Sequence, residues 1–119
     1  MYLHGNITRS NNRLHAEFQN GIWRMFNYNI DYISNTVYGT MRSYADIDAY
    51  SYGGYSDDGR QIDDRGFVIA RNTLEQFLDT SITDAFKQIE KAIYAYLVTT
   101  PEYSGFTLVL ESGDPGYTA

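Results

Sequence analysis

The stretch from Tyr38 to Tyr55, YGTMRSYADIDAYSYGGY, constrains the fold of this chain more than any other. Read at period two from Val37, it separates into two faces. Val37, Gly39, Met41, Ser43, Ala45, Ile47, Ala49 and Ser51 are small or apolar. Tyr38, Thr40, Arg42, Tyr44, Asp46, Asp48, Tyr50 and Tyr52 are aromatic, charged or hydroxylic. Alternation over this length predicts one long strand with a buried side, the small-residue side being the one expected under a helix. The other face is unusual in its tyrosines and aspartates.

The rest of the chain supplies partners for that strand. Residues 2–8 alternate around Leu3, Gly5 and Ile7, and Leu14, Ala16 and Phe18 alternate after the turn residues 9–12. Asn20-Gly21 reads as a hairpin turn, because Asn-Gly accepts the positive φ angles of a type I′ turn. From Ile22 to Ile33 the apolar side changes parity between Met25 and Phe26, which predicts a bulge near Phe26. Ser34-Asn35 is a turn. Asp58-Gly59 closes a second hairpin candidate, with a return strand over 60–70 whose end, Phe67 to Ala70, is continuously apolar. Leu74, Phe77, Leu78, Ile82, Phe86, Ile89, Ile93, Tyr96 and Leu97 form one stripe at helical spacing. The pattern predicts a long amphipathic helix capped at Asn72 or Thr73, with a second helix start at Ser81–Asp84 that would break it near Thr80. Thr99-Thr100-Pro101 ends it, and Phe106, Leu108 and Leu110 form a last strand. The fold class is therefore α+β: a curved antiparallel sheet of five or six strands with one long or broken amphipathic helix on one face. The chain reads as a single domain over 1–119, with 112–119 as a flexible tail.

Composition narrows the function classes. At 119 residues, one core forms without metal or disulfide staples, and cysteine is absent. No signal-peptide pattern or membrane-length apolar run is present, so the cytoplasm is the expected compartment, that of the host if the chain is viral. The net charge is −6. It is unevenly spread: 46–65 and 66–119 each carry −4 and 1–45 carries +2, and in 46–65 Asp46, Asp48, Asp57, Asp58, Asp63 and Asp64 face only Arg60 and Arg65. Nonspecific binding to nucleic acid or anionic lipid needs clustered Lys and Arg, so neither is expected.

Motifs for catalysis are missing. His4 and His15 lie on predicted strands, and a site with Glu17 or Asp31 would lack the tight ligand spacing of histidine metal centres. Asp57-Asp58-Gly59 fails as a calcium loop, because Gly54 and Arg65 occupy positions that need carboxylates. The pairs Asp46/Asp48, Asp57/Asp58 and Asp63/Asp64 are more readily solvated than poised as acid and base. Neither a cofactor nor a metal is expected, and the chain is read as non-enzymatic.

What remains is a surface. Tyrosine offers large apolar area with a polar tip, and this chain has 12 of them. Tyr44, Tyr50, Tyr52 and Tyr55 are the expected aromatic anchors of a partner-binding site, with the six aspartates of 46–64 as its charges. Residues i and i+2 on a strand lie about 6.6 Å apart, close to the spacing of phosphates along a nucleic-acid strand. The expected function is an acidic inhibitor that occupies the basic groove of a nucleic-acid-handling protein such as a nuclease. In general character, though not in motif, the chain resembles phage-type inhibitors of bacterial defence nucleases, anti-CRISPR proteins among them. Two other readings compete. One is a carrier for a nucleotide or other anion, with Trp23, Phe26, Tyr28 and Tyr32 lining its pocket and Arg24 and Arg42 holding the charge. The other is a virion protein or homodimer assembling through its tyrosine face.

Overall fold

The alternating segments pair into a five-stranded antiparallel sheet in the computed structural model, which describes residues 1–10, 15–53 and 61–119. In chain order the elements are β1 (Tyr2–Ser10), β2 (His15–Asp31), β3 (Thr36–Tyr44), α1 (Ile47–Gly53), β4 (Gln61–Ala70), α2 (Arg71–Glu75), α3 (Ala85–Leu97) and β5 (Thr107–Val109). The sheet order is β4-β3-β2-β1-β5, an open meander with the last strand added beside the first.

β2 runs through Asn20-Gly21 without turning, so the hairpin expected there does not form. β1 pairs on both sides of the dipeptide, through His4↔Ile22 and Ile7↔Phe18, and the mismatch is absorbed as a bulge between Gly5 and Ile7. Gly21 is packed in the sheet rather than in a turn: a Cβ there would lie 2.6 Å from Ile7 Cδ1, the end of a side chain that can shift, and 3.1 Å from Gly5 O. The bulge expected near Phe26 is present. Met25↔Met41 is followed by Asn27↔Thr40, leaving Phe26 as the extra residue. At the β2–β3 turn, Asp31 Oδ1 accepts from the amides of Ile33 and Ser34, and Asn35 takes a φ of 54°. Asparagine tolerates that left-handed conformation better than most residues.

The long strand expected to reach Tyr55 stops at Tyr44 instead. Asp46 begins a helix: its Oδ1 accepts the Ala49 amide at 2.8 Å and its carbonyl accepts the Tyr50 amide at 3.3 Å. A carboxylate that satisfies an orphan amide favours helix over continued strand. The single long helix is likewise replaced by short ones. α2 follows β4 directly, with the Arg71 amide bonded to Asn35 O and no side-chain cap from Asn72 or Thr73. The chain then turns, and Asp84 caps α3 by accepting from the Phe86 and Lys87 amides at 3.0 and 3.2 Å. The second helix start expected at Ser81–Asp84 is thus where α3 begins. Leu74, Ile82, Ile93 and Leu97 of the stripe are buried, but Phe86 is 77% exposed.

The small-residue side of β3 faces the core. Val37 and Met41 pack with Leu3, Ile7, Trp23, Phe67 and Ile69 of the sheet and with Leu74, Ala92, Ile93, Tyr94, Leu97 and Tyr103. Each large apolar side chain buried there contributes roughly 1.5–3 kcal/mol. Phe67 to Ala70 is not buried on both sides as its apolar run suggests: Phe67 and Ile69 face the core, while Val68 is 70% exposed on the other face. Among the described residues, no helix is long and apolar enough to cross a membrane.

Candidate protein-interaction surface

The sheet face turned away from α2 and α3 holds the side chains of interest. Strand parity and register place Arg24 opposite Arg42 and Asp64 beyond it, Asn27 opposite Thr40 and Gly66, and Asn29 opposite Tyr38 and Val68. One end of this face is closed by the chain itself. α1 folds back so that Tyr50 meets Tyr44 edge-on, with ring centroids 5.2 Å apart. The Arg24 guanidinium lies 4.0 Å from the Tyr50 ring centroid and 5.5 Å from that of Tyr2. It also donates to Glu111 Oε1 at 2.8 Å. Such cation–aromatic stacking fixes the arginine and the ring together.

Arg42, also stacked, lies 4.0 Å from the Phe26 ring centroid and donates to Asp64 through Nε at 2.7 Å and Nη2 at 3.1 Å. The two-pronged geometry suits guanidinium and carboxylate. The bulge delivers Phe26 to this face, where it remains 54% exposed beside the arginine. Beyond it, no described helix lies on the face. Tyr38 is 44% exposed and sits directly across from Val68. Phe26, Tyr38 and Val68 thus expose a strip of apolar side chains along this face, with Asn27, Asn29 and Thr40 interleaved.

The aspartates and tyrosines singled out in the sequence are distributed differently from a strand-borne ribbon. Asp46 and Asp48 are exposed, but in and before the first turn of α1, so their separation is not that of strand neighbours. Asp63 is exposed on β4, and Asp64 is paired with Arg42. Tyr44 is buried and Tyr50 half-buried, each against the other, and Tyr52 belongs to the last turn of α1. Tyr55, Asp57 and Asp58 lie outside the described residues. Phe26 and Val68 were not among the expected contacts. The parity change at Phe26 and the even position of Val68 opposite Tyr38 are the signals that point to them.

The other candidate sites do not assemble. Phe26 and Tyr28 share a notch, but Trp23 is buried on the helix side and Tyr32 is 77% exposed at the β2–β3 turn, so the four do not come together. Arg24 and Arg42, expected to grip an anion, are engaged by Glu111 and Asp64. His15 lies 3.7 Å from Glu17, and among the described residues no three metal-binding side chains cluster.

A second cluster fastens the structure at the corner where β1, β5 and α3 meet. The Tyr94 hydroxyl accepts the Met25 amide at 2.7 Å and donates to Met1 O at 3.2 Å. Burial holds that phenol far above its usual range. Asp114 accepts from Lys87 Nζ at 2.8 Å and from the Glu111 amide at 2.8 Å, and its Oδ2 is 2.7 Å from the Met1 amine. Residues 112–119, expected to be a flexible tail, thus contain a buried anchor. These bonds tie the N-terminal strand, α3 and the C-terminal segment together. No protein family, curated protein or solved structure matches this chain.

Proposed function

We propose that this protein is a non-enzymatic interaction module whose open sheet face binds a basic protein, in the manner of an inhibitor. The observation that carries the reading is the Phe26–Tyr38–Val68 strip on a sheet face that α2 and α3 do not cover. An apolar strip rimmed by polar groups is the usual character of a protein contact. Asp46, Asp48 and Asp63 are exposed carboxylates and, with the net charge of −6, favour a cationic partner over an anionic one. Proteins that handle nucleic acid carry that charge on their working surface. Blocking such a surface does not require strand-spaced aspartates; it requires a complementary field and a central apolar contact.

The test combines capture with charge removal. Proteins retained from a nuclease-treated bacterial lysate are purified and titrated against the wild type and against Asp46→Asn/Asp48→Asn/Asp63→Asn. Asparagine at 46 still caps α1, so the helix is kept while the charge is lost. The triple variant is expected to associate about tenfold more slowly and with a weaker salt dependence. Val68→Lys is expected to speed dissociation without unfolding the chain. Unchanged binding by all these variants, or capture of acidic proteins alone, would sink the reading.

A further inference from the structure

We propose that the free edge of β2, from Phe26 to Asp31, takes up an extended segment of the basic partner as an added strand. The inference borrows from the reading above only the charge of that partner. β1 pairs with β2 no further than Trp23, whereas β3 pairs with it from Ile22 to Asp31. Beyond Trp23, β2 therefore has a strand neighbour on one side only, among the described residues. The Met25 amide is already bonded to the Tyr94 hydroxyl, so the open stretch starts at Phe26. Unpaired strand edges are templates for a further strand, and main-chain bonds to them give affinity without requiring a particular sequence.

Two hollows beside this edge indicate the side chains that would fit. Toward the β2–β3 turn is a groove of about 230 Å³ whose apolar lining includes Ile30, Val37, Leu74, Leu78 and Ile89. Toward α3, Met25, Phe26, Asn27 and Tyr28 face Glu90 across a second notch. Glu90 places a carboxylate at this notch, 3.7 Å from Lys87 Nζ, and burial first, then the charges of Glu90 and Asp84, raise the Tyr28 phenol above its ordinary range. Same-side residues of an added strand are about 6.6 Å apart. A segment with an apolar side chain in the groove and a lysine or arginine at Glu90 is complementary to both.

Of the sheet's other exposed edges, that of β4 is defended. β4 carries Asp63, Asp64 and Arg65 and a register shift in its first half, which are ordinary devices against edge pairing. Phe26 to Asp31 contains no lysine, arginine or proline.

The experiment uses the full chain and a synthetic peptide of alternating lysine and valine, with two controls: glutamate in place of lysine, and alternate backbone amides methylated. The lysine peptide is expected to slow amide exchange within 26–31. Its binding should weaken about tenfold with Glu90→Lys, less with Glu90→Gln, and vanish on methylation. Protection confined to 61–70, binding that survives methylation, or no binding at millimolar peptide would each overturn the proposal. The two readings separate cleanly. A peptide bound at 26–31 when no basic protein is captured keeps the edge and removes the partner reading. A captured basic protein that leaves 26–31 unprotected does the reverse.

Discussion

Asp114 shows how one residue secures the C-terminal segment. Its side chain is 3% exposed, and burial alone would push its carboxyl up. The hydrogen bonds from Lys87, the Met1 amine and the Glu111 amide outweigh burial and hold it well below the usual carboxylate range. A group whose folded pKa is depressed stabilises the fold above its unfolded pKa, and that contribution is lost as pH falls through the folded value. Asp114→Asn is therefore expected to cost about 2 kcal/mol at neutral pH, the scale of hydrogen bonds to a charged group. The gap between wild type and variant should narrow as pH is lowered from about 4, the ordinary aspartate value. Urea unfolding across that range measures it. A gap that stays constant into acid would show that the ionised carboxylate is not what matters.

At the scale of elements, space at crossing strands decides more than local propensity. Gly39 sits across from Phe67 of β4 and Tyr28 of β2, and a Cβ there would lie 2.1 Å from Asn27 O and 2.8 Å from Phe67 Cζ. A backbone carbonyl cannot swing aside, so Gly39→Ala is expected to destabilise by about 3 kcal/mol. Gly66, on the neighbouring rung, has its nearest atom at 3.8 Å, and Gly66→Ala should change stability by less than about 0.5 kcal/mol. Thermal or urea unfolding of the pair checks the contrast, and equal losses would contradict it. The same logic explains which elements could be read from the chain. The Phe26 bulge was legible because a parity change has one simple cause, and the buried side of β3 because small and apolar residues alternated with large polar ones. Asn20-Gly21 misled because a glycine packed in the sheet looks the same as a glycine kept for a turn. Asp46 to Tyr52 misled because seven residues alternating at period two also satisfy two turns of helix, and only the cap at Asp46 distinguishes them. Phe77 to Ile82 kept a helical stripe through a segment that Asp79 and Ser81 turn by bonding each other. The open face was half visible: Tyr38 could be placed, but nothing local shows that no helix covers Val68.

At the scale of the whole molecule, the disposition of its cations bears on which partners are expected. Arg24 is paired with Glu111, Arg42 with Asp64, Arg65 with Glu102, and Arg71 with Glu75. Lys87 meets Asp114 and Glu90, Lys91 lies 4.0 Å from Asp79, and Arg9 donates to Ile62 O. Every lysine and arginine among the described residues is thus engaged within the chain, and carboxylates such as Asp46, Asp48 and Asp63 are left facing water. Each exposed pair contributes little to stability. Their joint effect on the surface field is larger, because the described residues present no cluster of unpaired cations to a phosphate backbone. Affinity for nucleic acid without sequence preference comes from releasing counterions through such clusters. Single- or double-stranded DNA oligonucleotides at about 0.1 M salt are therefore expected to show no anisotropy change with this protein at concentrations up to about 100 µM, weaker than ordinary nonspecific binding. Lowering the salt should not rescue binding, since the net charge repels the polymer more strongly as screening weakens. A salt-sensitive complex in that assay would mean that the arginines leave their carboxylates for phosphate, and it would reverse the assignment of partner charge on which the interaction surface was argued.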